Sequence, residues 1–307
     1  MAAKSGGLFP VEPKEITIPT FAPPVATNKT ISIPNNSPFY YAAIQCIWIF
    51  WQVELEILDT YLAPLGMTAV PFGPPGTKPK FGCASINFFN AAALYGAGFP
   101  GSPGVAGFNE TEVNILAYPT AVEATVPKDF TIEQFICGAD QTKRIGAYRV
   151  WVACDDAVAV AAGQQIFFEN KFLTPYQYSV PALNNPGVTA YDWTCYDDLS
   201  AKTFIYQGHV DLSGLTSIQS NPTEWIDLSY VTTEARVAAS RRNFFGTPDT
   251  YLAQSGLNKA VTMKYGTSKH DMRRDMEKLI GGREPVAIQV FRSPSVIAEA
   301  RPYWADV

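Results

Sequence analysis

One stretch limits the possible folds more than any other. Residues 41 to 49 read Tyr-Ala-Ala-Ile-Gln-Cys-Ile-Trp-Ile, and Gln45 is the one polar side chain among them. β-Branched and aromatic residues on both parities suit a strand covered on both faces, and the run is short for a buried helix. Immediately after it, Gln52 to Ile57 alternates with period two, while Leu55, Leu58 and Leu62 recur at helical spacing. A strand therefore passes into a helix near Leu58. Further strands are expected over Cys83 to Phe89, Val113 to Ala117, Ala147 to Ala153, Gln165 to Phe172, Phe204 to Leu212 and Val286 to Phe291. Two more helices are expected, at Thr131 to Cys137 and Lys269 to Ile280. The second carries Met272, Met276, Leu279 and Ile280 on one side, with Ser268 and Asp271 as a capping box and Gly281 past its end. Leu215 to Asp227 reads as turn-rich. The pattern predicts a mainly-β (α+β) fold, an antiparallel β-barrel or sandwich with a few flanking helices. Residues 1–38, rich in Pro, Thr and Asn, read as an extended arm with one edge strand at Thr30 to Ile33. Residues 39–307 show neither repeat nor linker and read as a single domain.

Composition excludes several function classes. Of 307 residues, 47% are hydrophobic and 17% charged, enough to fill a core and too apolar for a disordered chain. The net charge is −5 with no basic block, so no phosphate-facing surface for nucleic acid is expected. His209 and His270 are the only histidines, which excludes sites built from several imidazoles. The five cysteines show no C-x-x-C spacing, and buried free thiols are expected rather than zinc or a redox pair. The longest uncharged stretch, 81–109, is broken by Gly and Pro, so no membrane helix is expected. Met1 to Phe9 carries no apolar leader, and the expected location is cytoplasmic. Gly96 to Gly101 spells G-x-G-x-x-G, but Ser102-Pro103-Gly104 continues a loop where a nucleotide site needs a helix. Without a P-loop, a nucleophile elbow or H-E-x-x-H, the chemistry expected uses neither metal nor cofactor.

The segment Cys154 to Phe172 carries the chemistry. Asp155-Asp156, suited to a turn or cap, precedes a run of Ala and Val to Gly163, then Gln164-Gln165 and a single lysine, Lys171. If 165–172 is a strand, Gln165, Phe167, Glu169 and Lys171 share a face. A neutral amine there could attack a carbonyl carbon and form an iminium, an electron sink. That requires the amine's pKa to fall from about 10.4. Burial acts in that direction and Glu169 acts against it.

This segment resembles the acetoacetate decarboxylase family, whose pattern is Asp…Gly-Arg-Glu-x-x-x-x-Pro-Lys-Lys. The spacing from Asp155 to Gly163 to Lys171 matches without gaps, which puts Lys171 at the Schiff-base lysine. Phe108-Asn109-Glu110-Thr111-Glu112 is similar to the family's aromatic-x-Glu segment and puts Glu110 at its active-site glutamate. Ala287 to Pro294 resembles its closing strand. The departures are equally specific. Phe172 replaces the second lysine, Asn170 the proline, and Gln164-Gln165 the Arg-Glu pair. No arginine precedes Arg144, where the family has an early catalytic one.

The resemblance implies a homo-oligomeric lyase with one deep apolar cavity. Lys171 would be the Schiff-base nucleophile and Glu110 the proton-transfer residue, with Glu112, Gln165, Phe167, Glu169 and Phe172 around the substrate. The missing arginine points to a carbonyl substrate larger and less acidic than acetoacetate, for decarboxylation, aldol, dehydration or cyclisation. Two other readings stand beside it: a cofactor-free cyclase or isomerase of secondary metabolism using the same cavity without a Schiff base, and a non-catalytic carrier of apolar ligands.

Overall fold

The computed structural model describes residues 14–18, 29–33, 39–95, 104–293, 297–299 and 303–305, apart from 75, 128, 141, 143, 183–186, 199, 221–223 and 245. The glycine motif at 96–101 lies outside them. In chain order the main elements are β1 (Phe39–Glu54), α1 (Leu55–Leu62), β2 (Phe81–Tyr95), β3 (Gly104–Pro119), α2 (Ile132–Ile136), β4 (Gly146–Cys154), α3 (Ala157–Ile166) and β5 (Lys171–Leu173). After these come β6 (Tyr176–Ser179), β7 (Ala190–Tyr196), β8 (Phe204–Asp211), β9 (Glu224–Val231), β10 (Arg236–Phe244), β11 (Val261–Tyr265), α4 (Asp271–Ile280) and β12 (Pro285–Ser293).

The expected mainly-β architecture is present. β1 to β4 pair in sequence as long antiparallel ladders, and β4 then runs parallel to β9. β9 pairs with β10, and the short strand Ile297–Glu299 pairs with both β10 and β1, so the large sheet curls back on itself. β12 lies beyond that short strand along the same edge of β1, opposite β2. A second, four-stranded sheet in the order β11-β8-β7-β6 packs against the large one as a sandwich. Lys14–Ile18 and Lys29–Ile33 form a separate antiparallel pair, Ile16 opposite Ile31, where the sequence suggested one edge strand. Among the described residues no helix is long and apolar enough to cross a membrane.

β1 explains the unbroken apolar run. Ile44, Cys46, Trp48 and Phe50 belong to the core inside the curled sheet, and Ile47, Ile49, Trp51 and Val53 to the core between the sheets. Both faces are buried, so no polar alternation survives. At the seam Trp193 of β7 stacks on Phe88 of β2, ring centroids 4.9 Å apart, and its indole donates to the Tyr206 hydroxyl at 2.7 Å. Gly208 makes room, since a Cβ there would come within 2.3 Å of the Trp193 ring.

Three local expectations are corrected. Residues 157–166 are helix and 167–170 irregular, so Gln165 to Phe172 is not a strand; only 171–173 is extended. Alanine favours the helix, and the Asp156 carboxylate accepts from the Ala159 amide to cap it. Leu215 to Asp227 runs into β9 from Glu224 onward. The cap of α4 is His270, whose Nδ1 accepts from the Met272 amide at 3.1 Å; Ser268 accepts instead from the His270 amide. Each of the three expected helices is present.

Candidate active site

From Phe108 onward, the even-numbered residues of β3 point into the curled sheet. Phe108, Leu116 and Tyr118 join its apolar core, and between them stand Glu110, Glu112 and Asn114, all buried. α3 plugs the same interior with Ala159 to Ala162, and the chain then turns back. The Phe167 and Glu169 amides both donate to the Gly163 carbonyl, and Phe168 adopts a left-handed conformation, φ 58°. This turn drops Lys171 beside Val152 of β4 in a short parallel ladder. Gln164 Nε2 donates to the Lys171 carbonyl at 2.6 Å, which fixes the strand's start.

Lys171 is 8% exposed and Glu110 4%. The Lys171 ammonium donates to Glu110 and lies 3.1 Å from Glu169 Oε2. That carboxylate oxygen is close enough for an ion pair but makes no hydrogen bond. Gly163 permits the approach, because a Cβ on it would come within 2.2 Å of Glu169 Oε2 and 2.4 Å of Lys171 Cδ.

The charges continue inward. Glu169 Oε1 accepts from Arg149 Nη1 at 2.7 Å, and the same guanidinium lies 3.9 Å from Asp227 Oδ2 and donates to Ser229 at 2.8 Å. Arg242 Nε lies 2.8 Å from Asp227 Oδ2, and its Nη2 donates to Glu112 Oε1 at 2.5 Å. Asn87 and Asn114 also donate to Glu112. The sequence Glu110, Lys171, Glu169, Arg149, Asp227, Arg242, Glu112 thus alternates strictly in sign and returns to the strand where it began. Such alternation offsets the desolvation each buried ion suffers. Among these seven described residues there is one acid more than there are bases, and Glu110 and Glu112 face each other as like charges at the closure.

The titration directions follow from this arrangement. Burial pushes Glu110 up to about 7 despite the Lys171 charge, and Glu169 and Glu112 add to the rise. Burial also works to raise Glu112, but the Arg242 and Arg149 charges outweigh it and hold that carboxyl below its ordinary range. Burial works to lower Lys171, yet Glu110 and Glu169 hold the ammonium well above its usual pKa. The resting amine is charged, contrary to what the sequence reading required of it.

A cavity of about 20 Å³ adjoins Lys171, lined by Tyr41, Phe108, Glu110, Gly163, Phe167 and Glu169 among others. It has room for about one water-sized group. Among the described residues, the space beside the amine is a narrow cleft rather than the deep apolar chamber expected from the sequence, aromatic on some walls and acidic beside the amine. Of the residues singled out, Lys171, Glu110, Glu169 and Phe167 meet there. Glu112 lies deeper, held by Arg242. Gln165 does not line the cleft. Phe172 faces away, stacked on His270 at 4.3 Å between ring centroids and edge-on to Trp151. Sequence reasoning missed Arg149, Asp227 and Arg242. Arg149 sits inside otherwise apolar strand sequence and Asp227 between Ile226 and Leu228, a signal that could have marked them as paired and buried.

The sequence matches no protein-family model and no curated protein. Solved structures resemble the chain over most of its length. The enduracididine biosynthesis enzyme MppR, complexed with pyruvate, is 15% identical with a TM-score of 0.55, over 87% of this chain and 90% of that one. An acetoacetate decarboxylase-like enzyme from Sphingomonas wittichii RW1 is 11% identical with a TM-score of 0.52, over 88% and 92%. The acetoacetate decarboxylase from Legionella pneumophila is 9% identical with a TM-score of 0.52, over 92% of each chain. With its curled sheet and packed second sheet, the chain has the acetoacetate decarboxylase-like fold.

Proposed function

We propose that the protein is a lyase-type enzyme that activates a carbonyl compound through an iminium at Lys171. One observation carries the reading: a buried lysine at the wall of a cleft, in contact with a carboxyl that titrates near neutrality. The neighbouring folds are those of carbonyl-processing enzymes, which supports the class.

The charged resting amine is compatible with this chemistry. Glu110 takes a proton from Nζ, and the freed lone pair attacks the carbonyl carbon as the C=O π electrons move to oxygen. Glu110 returns its proton to that oxygen, giving an N-protonated carbinolamine. Glu110 then carries a second proton from nitrogen to the hydroxyl, and the nitrogen lone pair forms C=N⁺ as water leaves. Overall, ammonium and carbonyl become iminium and water, and the positive charge stays where it was. The carboxylates of Glu110 and Glu169 that hold the ammonium also hold the iminium cation. Arg149 binds Glu169 from behind, which weakens that carboxylate's claim on Nζ and leaves Glu110 as the proton's destination. A narrow cleft admits the reacting carbonyl end, and the body of a larger substrate would lie beyond it.

A second reading is favoured by the direction of the Lys171 titration. An amine held charged can polarise a carbonyl without bonding to it, while Glu110 moves protons as a general base. Borohydride reduction in the presence of acetaldehyde, followed by peptide mass mapping, separates the two. An ethyl adduct on Lys171, absent from Lys171→Ala, supports the iminium. Turnover that persists in Lys171→Ala overturns it.

A further inference from the structure

Resting on the iminium reading, we infer that the cleft selects carbonyl compounds that carry no free carboxylate, so that its chemistry starts by removing a proton rather than CO₂. The groups on the cleft wall set the charge. Glu110 and Glu169 line it with Lys171, and among the described residues that line it Lys171 is the one cation, already shared between the two acids. The wider ring of alternating charges, counted over its described members, carries an acid in excess. A carboxylate entering beside Glu110 would add a further like charge to a low-dielectric site. The buried guanidinium groups offer no relief. Arg149 is held by Glu169 and Ser229, Arg242 by Glu112 and Asp227, and neither lines the cleft.

A neutral carbonyl avoids this conflict. After iminium formation, Glu110 in its ionised form takes a proton from the carbon next to C=N⁺. The C–H electrons form the new C=C bond, and the C=N π pair returns to nitrogen as an enamine. Positive charge leaves Nζ as negative charge leaves Glu110, so both partners are neutralised together. The enamine can then attack an electrophilic carbon or expel a β-hydroxyl, which are aldol and dehydration outcomes.

The test uses matched probes that differ in charge and hardly in shape: pyruvamide against pyruvate, and acetoacetamide against acetoacetate. Each is incubated with the full chain and cyanoborohydride, and the rate of adduct formation at Lys171 is read by mass spectrometry. Rates are normalised to the same probe's rate with free butylamine, which removes intrinsic electrophilicity. The expected result is that each amide reacts at least about tenfold faster than its carboxylate. Equal rates, or faster labelling by the carboxylates, overturn the inference while leaving the iminium reading intact. If neither probe, nor acetaldehyde, labels Lys171, the iminium reading itself falls and the inference with it.

Discussion

Glu110 and Glu112 are two residues apart on one face of one strand, and they titrate in opposite directions. The difference lies in partners. Glu112 has an arginine and two asparagine amides, whereas Glu110 has the lysine and two like-charged neighbours. Of these two, Glu110 is the one whose charge is relieved by a proton. With Glu110 at about 7 in the fold against an ordinary 4.5, the native state holds a proton that the unfolded chain has shed between those values. Its contribution to stability is greatest below pH 4.5 and falls as pH rises through 7. Denaturant melts of wild type and Glu110→Gln across pH 4.5 to 7.5 should therefore converge at the acid end, and the wild type alone should show this loss. Lys171 has the raised pKa of a base, so its contribution persists through neutrality and is lost only at strongly alkaline pH. Adduct formation at Lys171 needs Glu110 ionised and should rise through about pH 7. In Glu110→Gln that limb should vanish, and the rate should drop about 10²-fold or more.

α3 and the turn after it convert a sequence pattern into this geometry. Asp156→Ala removes the helix cap and should cost about 1 kcal/mol in a denaturant melt. Gly163→Ala sets a methyl against Glu169 and Lys171, and a loss of about 1–3 kcal/mol is expected from overpacking. Adduct formation should suffer more in Gly163→Ala than in Asp156→Ala, since the first displaces the reacting groups and the second only loosens their support. In the Asp155, Gly163 and Lys171 spacing, two positions answer to local geometry: Asp155 accepts from the Asn109 backbone and side-chain amides, and Gly163 leaves room for Glu169 and Lys171. The strand expected at 165–172 failed because alternation in so short an apolar segment does not distinguish a strand from a buried helix running into a turn. Lys171 and Glu169 still share the site, brought together by the left-handed Phe168 rather than by strand pleating. The cleft's small volume was not legible, because the side chains that fill it come from strands far apart in sequence.

Across the whole molecule, the ring of buried charge ties β3, β4, β5, β9 and β10 together. Arg242→Met would remove the guanidinium that pairs Glu112 and lies nearest Asp227, and a loss of about 3–5 kcal/mol is expected in thermal or chemical unfolding. β7 and β10, which carry seam and ring residues, gave no clear sequence signal, since their polar and apolar positions face different surroundings along one strand. β1 reaches both interiors, being lined on one side by the one that houses Lys171 and on the other by the seam under Trp193. It is a party wall between two rooms, and neither room can be vacated while the other stays furnished. Tryptophan fluorescence at Trp193 and borohydride capture at Lys171 should accordingly fail at one common midpoint as denaturant is raised.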